Sequence, residues 1–131
     1  MQARTQFSIF VVNKPGVLAG ITGMLADAGV NLEALSLADS GEGGVLRCVC
    51  DDSEAARKIL TKNHDRWTET EVLILEMANR PGGFAAIAKK LGDARVNISY
   101  AYATASKQAG TTIAVFKVAD MNKARQILAE S

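Results

Sequence analysis

Apolar and polar positions change period at regular intervals along this chain. Phe7 to Val12 is an apolar run rich in β-branched and aromatic residues, which predicts a strand. Asn13-Lys14-Pro15-Gly16 breaks it, and the period then becomes helical. Val17, Leu18, Ile21, Leu25 and Ala28 mark one helix face, and Gly29 ends it. Leu32 to Asp39 predicts a second strand, Ser40 to Gly44 a turn, and Val45 to Cys50 a third strand. Asp52 is placed to cap a short helix whose inner stripe is Ala56, Ile59 and Leu60. Thr61 to Thr70 is polar and contains the one tryptophan, Trp67. Val72 to Leu75 is strongly strand-like, so Trp67 to Met77 reads as one long strand.

The whole order then starts again. Asn79-Arg80-Pro81-Gly82-Gly83-Phe84 repeats Asn13-Lys14-Pro15-Gly16-Val17-Leu18 at an offset of 66 residues. Asn31 and Asn97 keep the same offset, and both prolines of the chain lie inside the two copies. Phe84, Ile87, Leu91 and Ala94 mark the second copy's first helix. Asn97 to Ala105 predicts a strand with Tyr100 and Tyr102 on one side, and Ser106 to Gly110 a turn. Thr112 to Val118 predicts the next strand, and Asp120 caps a last helix carrying Ala124, Ile127 and Leu128. The reading is α+β: βαββαβ over residues 1–68, then βαββα over 69–131, with the second copy short of a closing strand. Within each unit this is the split β-α-β, or ferredoxin-like, order. It implies antiparallel sheets with helices on one face.

Composition narrows the partners. Units of roughly 65 residues have thin cores, so each is expected to pack on its sister or on a second chain. A net charge of +1 carries no footprint for nucleic acid or an anionic membrane. The longest apolar run, Ile9 to Val12, is far short of a membrane span, and the N-terminus lacks a signal-peptide core, so the expected location is the cytoplasm. Cys48 and Cys50 would share one strand face. With a single histidine, His64, in a polar stretch, they read as small apolar residues rather than half a metal site. No metal or cofactor is expected.

The repeated loop carries the candidate chemistry. A strand turning into a helix at Pro-Gly presents the N–H groups of the first helical turn to an anion. Gly16, Gly82 and Gly83 would let a ligand approach the backbone, and Asn13 and Asn79 offer amide donors and acceptors. Asn31 and Asn97 enter the following strand, whose start is expected near the same end of the sheet. Such groups suit a small zwitterion. The plain alternative is that Asn and Pro-Gly are turn punctuation.

The run Asn-x-Pro-Gly-x-Leu, an amphipathic helix and then Gly-Val-Asn-Leu resembles the ACT domain, a small-molecule regulatory module of amino-acid biosynthetic enzymes. Asn13, Pro15, Gly16, Val17, Leu18, Gly29, Val30 and Asn31 carry it in the first copy, and Asn79, Pro81, Gly82, Ala94, Val96 and Asn97 in the second. Nearly the whole chain is covered, in the manner of stand-alone tandem-ACT proteins. The resemblance implies ferredoxin-like units that associate through their sheets, with amino-acid sites at the interfaces. By likeness to the serine-binding ACT domain of phosphoglycerate dehydrogenase, Asn13 and Asn31, and Asn79 and Asn97, correspond to ligand-contacting asparagines. A histidine of that pattern is replaced by Val11 and Met77. An apolar lining from Leu18, Phe84, Tyr100 and Tyr102 would then suit a larger amino acid than serine. The tyrosines have an equal reading as sheet filling.

Three other functions compete. An acylphosphatase-like enzyme shares the fold order, but Arg80 is the one candidate for its phosphate cradle and Lys14 replaces it in the first copy. An RNA-binding module needs an aromatic, basic third strand, which Val45 to Val49 and Ile113 to Phe116 do not supply. A structural or regulatory subunit that binds a partner enzyme without ligand is the closest rival. Phe10 and Val12 lie opposite Phe7, Ile9 and Val11, so both faces of the first strand are apolar and a cover is expected. The sequence therefore points to a non-catalytic, amino-acid-binding regulator with no catalytic residues, forming a homodimer and acting on a client enzyme of amino-acid metabolism.

Overall fold

The computed structural model describes residues 1–41, 43–64, 66–104 and 110–129. The elements run β1 (Gln2–Val12), α1 (Val17–Asp27), β2 (Leu32–Ser40), β3 (Gly43–Cys50), α2 (Ser53–Asn63), β4 (Trp67–Ala78), α3 (Gly83–Asp93), β5 (Ile98–Thr104), β6 (Thr111–Val118) and α4 (Met121–Ala129). Contacts divide them into two compact units. The N-terminal unit is Thr5–Thr70. The C-terminal unit joins Met1–Arg4 to Glu71–Ser131.

In the N-terminal unit the strand order is β2-β3-β1, with the first residues of β4 beside β1. Both β1 and β2 pair antiparallel with β3, and Ile9 and Leu37 both face Leu46 in register, as Phe7 and Leu35 face Cys48. These residues therefore share one sheet face. Ile21 and Leu25 of α1 and Ala56 and Leu60 of α2 pack on the middle of that face and form the core with Phe7, Ile9 and Leu46. The Trp67 ring closes it beside Phe7, with ring centres 5.9 Å apart.

In the C-terminal unit the order is β5-β6-β4, with the start of β1 beside β4. Leu73 faces Phe116 and Leu75 faces Ala114, while Ala101 and Ala103 face the same two β6 residues from β5. Leu91 of α3 and Ala124 of α4 complete the core on this face. Each unit thus has the ferredoxin-like order with both helices on one face.

Two expectations change. The second copy does have a fourth strand beside its first, and it comes from the start of the chain rather than the end. For the same reason β1 begins at Gln2, five residues before the apolar run. Gln2 to Gln6 carries little apolar signal, yet Gln6 is fully buried and its Nε2 donates to Ser8 Oγ at 3.3 Å. The apolar outer face of β1 is only partly realised: Val12 is 58% exposed, whereas Phe10 is half-buried under the Arg66 guanidinium, 5.5 Å from its ring centre. Of the expected turn Ser106 to Gly110, only Gly110 is among the described residues, and Ala105 at the end of the expected strand is not.

Helix ends follow the sequence closely. Asp52 accepts from Ala55 N at 3.0 Å and Asp120 from Lys123 N at 2.9 Å. Helix α1 closes with Gly29 N donating to Ala26 O and Val30 N to Leu25 O, and α3 closes in the same way through Arg95 and Val96. Leu18 and Ala28, expected on the inner face of α1, are exposed at its rim.

Candidate functional site

The two Pro-Gly loops are wired alike. Lys14 N donates to Val12 O and Val17 N to Lys14 O, as Arg80 N donates to Ala78 O and Gly83 N to Arg80 O. Gly16 and Gly82 both sit at φ +87°, a conformation that strains a residue with a Cβ, and each is the N-cap of its helix. Neither α1 nor α3 is capped by a side chain, and neither has an acidic residue in its first turn. Both loops therefore present an uncapped helix start to solvent, the electrostatic setting that favours an anion. The copies part at the next residue. A Cβ on Gly83 would clash with the Ala78 carbonyl oxygen, whereas Val17 occupies the matching position in the first loop.

In the N-terminal unit the loop borders a pocket of about 230 Å³. Asn13, Val17 and Leu18 line it from the loop and α1, and Leu37, Ala38 and Gly44 from the β2–β3 hairpin. The hairpin approaches closely because Gly44 has no side chain: a Cβ there would lie 3.3 Å from both Val11 Cγ2 and Ala38 O. The pocket is bordered by β2, the outermost strand of this unit. Beside it Leu35 and Leu37 are 45% and 51% exposed although they lie on the core face.

In the C-terminal unit the loop borders a larger cavity of about 590 Å³ on a different flank. Pro81, Gly82 and Gly83 line it, but its other walls come from β4, α3, Met1 and Leu128 of α4 rather than from the outermost strand β5. Phe84 does not line it. Its ring stacks on Phe116, with centres 5.2 Å apart and planes 15° from parallel.

The remaining candidates are distributed more widely. Pro15 and Gly16 shape the first loop without lining its pocket, and Asn79 stands outside the second cavity, with its N–H bonded to Gly110 O at 3.0 Å. Asn31 and Asn97 lie at the opposite end of the sheet from Asn13 and Asn79, contrary to the expectation. Asn31 N donates to Asp51 Oδ1 at 2.9 Å, next to the end of β3, while the Asn13 loop follows Val12, which pairs with Gly43 at the start of β3. The length of β3 separates them by roughly 23 Å at about 3.3 Å per residue. Asn97 is held likewise, its carbonyl accepting from Ala119 N. Tyr100 and Tyr102 face Lys117 and Val115 in register and so lie on the sheet face away from the helices and the loop cavity. Cys48 and Cys50 belong to the strand β3, both fully buried. The hydrogen bond with Cys50, then burial, push the Cys48 thiol well up, so it stays protonated at neutral pH. The residues that the sequence did not mark, Leu37, Ala38 and Gly44, come from a hairpin. The alternation Leu35-Ser36-Leu37 in front of a glycine pair was the signal available for them.

The family model of an ACT domain pair matches residues 2–131. No curated protein matches the sequence. Among solved structures, the chain is similar to a protein of Bacteroides thetaiotaomicron at 33% identity and a TM-score of 0.90, over 98% of this chain and 88% of that one. It also superposes on the ligand-free regulatory subunit of aspartate kinase from Thermus thermophilus, with TM-score 0.69 at 12% identity, over 97% and 91% of the two chains. The corresponding subunit from Thermus flavus gives 0.62 at 14%, over 99% and 92%. Matched through both copies of its loop, helix and sheet, the chain belongs to the ACT domain pair family.

Proposed function

We propose that this protein is a non-catalytic regulator that binds a small amino acid-like ligand at the Asn13 loop, in a site completed by a second copy of the chain. The observation that carries this reading is the pocket beside β2. It gathers an asparagine amide, an uncapped helix start and an apolar wall from Leu18 and Leu37. These match the carboxylate, the ammonium and the side chain of an amino acid. At about 230 Å³ it is smaller than typical small-molecule sites of about 300–1,000 Å³, and β2 forms part of its wall.

What completes it follows from the strand. An outermost strand of nine residues with two half-exposed leucines invites pairing, and nothing in Leu32–Ser40 blunts it with proline or lysine. Antiparallel pairing of β2 with β2 of a second copy would carry Asn31 of that copy to the end where Asn13 lies. Such pairing would give the two asparagines, which stand at opposite ends within one chain, a shared site. The Thermus proteins of this fold are regulatory subunits of a kinase. By analogy, ligand binding here biases one arrangement of copies and conveys ligand level to a client enzyme of amino-acid metabolism. No helix among the described residues is long and apolar enough to cross a membrane, in keeping with a regulator working in the cytoplasm.

A thermal-shift screen against the twenty amino acids tests this. One or a few should raise the melting temperature by mass action, and Asn13→Ala should abolish the rise. If no amino acid shifts it at millimolar concentration, the loops are architectural and the protein acts as a ligand-free subunit of its partner.

A further inference from the structure

The Asn13 pocket has a glycine where the second copy of the repeat has a side chain. Gly44 of β3 faces Val11, as Thr112 of β6 faces Met77, so the two residues hold the same place in their ladders. Gly110, which follows Gly44 by 66 positions, is not its structural match, because the second hairpin is longer. At Gly44 the neighbours close over bare backbone. A Cβ there would lie 3.3 Å from both Val11 Cγ2 and Ala38 O, and 3.5 Å from Leu37 Cδ1. A side chain at this position would therefore push Val11 and Leu37, which both line the pocket, into its space.

The second copy is built the other way. Thr112 puts a buried side chain at this place. The β6 residue opposite Leu73 is the bulky Phe116, where the β3 residue opposite Phe7 is the small Cys48. Phe84 stacks on Phe116, whereas its counterpart Leu18 stays at the rim of α1 and lines the Asn13 pocket. Two aromatic rings and a threonine thus stand in the second copy where the first has a leucine, a cysteine and a glycine. The wall of the open pocket is aliphatic: Val11, Val17, Leu18 and Leu37 form it with Ala38, and none of its described lining residues is aromatic. Such a wall offers a ring no stacking partner, so selection there falls to shape.

Given an amino-acid site at the Asn13 loop, we infer that Gly44 is the residue that sets its selectivity. Gly44 leaves room for the side chain of an aliphatic amino acid in the first copy. Thr112 and Phe84 fill the corresponding place in the second copy, so each chain takes one such ligand. The repeat keeps its loop twice and its site once.

Isothermal titration of L-leucine and L-valine into the full chain tests this. The wild type should take one L-leucine per chain. Asn79→Ala, at the second loop, should bind it with unchanged affinity and stoichiometry. Gly44→Ala should weaken L-leucine by roughly tenfold or more, and L-valine, shorter by one methylene, by less. Adding Val11→Ala, which removes the nearest side-chain atom, should recover part of that loss. If Gly44→Ala does not fold, as read by far-UV circular dichroism, the stoichiometry and Asn79→Ala decide alone. A wild type that binds none of the twenty amino acids overturns the amino-acid reading itself, and this inference with it. Other outcomes leave that reading standing and overturn the roles given to Gly44 and Thr112: two ligands per chain, weakened binding by Asn79→Ala, no loss or an equal loss of both probes in Gly44→Ala, or binding confined to amino acids that are not aliphatic.

Discussion

Arg95 stands at φ +61°, the left-handed conformation that closes helix α3, in the position that Gly29 takes after α1 at φ +77°. The two closures share the same pair of hydrogen bonds and the same buried contact, Leu25 with Val30 and Leu91 with Val96. Only the residue differs. A side chain in this region costs about 1–2 kcal/mol, partly offset by the greater flexibility of glycine in the unfolded chain. Arg95→Gly should therefore stabilise the protein by about 0.5–1 kcal/mol, measured by urea denaturation of an otherwise unchanged chain. The Arg95 side chain is exposed, so its removal should cost little packing. Residue-scale features of this kind were legible where a side chain announces them. The caps at Asp52 and Asp120 and the glycines at 16, 29 and 82 all do the work their types suggest. Arg95 was not legible, because its conformation is imposed by the helix ending at Leu91 and Val96, not by its own preference.

At the scale of elements, the long strands are the least legible part. The apolar run from Phe7 marks only the half of β1 that lies under the helices. Its first residues are polar and enter a strand because β4 offers a ladder beside them, a non-local cause that no local pattern records. The extent of β4 was clearer, since Trp67 and the run Val72 to Leu75 bracket it. Its start is tied to α2 by Arg57, whose Nε and Nη2 donate to the two Glu69 carboxylate oxygens at 2.8 and 2.7 Å. The hydrogen bond from Arg57 holds the Glu69 carboxyl below its ordinary range. A group whose folded pKa is depressed contributes stability above its unfolded pKa and loses it as pH falls through the folded value. The melting temperature of Glu69→Gln should accordingly lie below that of the wild type at pH 7. The gap should narrow as pH falls below the ordinary glutamate value of about 4.3 and through the depressed folded value, where the wild-type carboxyl also protonates. Thermal denaturation of both proteins across this range reads the effect, which is small because the pair is part-exposed and screened by salt.

At the scale of the whole molecule, the repeat was the strongest signal, and it carried the α+β class, the ferredoxin-like order and the ACT family. It misled where it suggested equivalence. The two loops keep one wiring, yet one borders a pocket along an outermost strand and the other a cavity lined by β4, α3 and Leu128 of α4. The sequence also suggests that the strand after Asn31 starts near the Asn13 end of the sheet, whereas a strand, a helix and a parallel strand place the two asparagines at opposite ends. That separation is what makes the second copy part of the proposed mechanism. It sets the most direct measurement: isothermal titration of the amino acid found in the screen into Asn13→Ala, into Asn31→Ala, and into their equimolar mixture. If each site takes Asn13 from one copy and Asn31 from the other, both variants are silent alone. Their mixture should regain about a quarter of the wild-type sites, since half the dimers are mixed and each has one intact site. Silence of the mixture after full subunit exchange, or undiminished binding by Asn31→Ala alone, would contradict a site shared between copies.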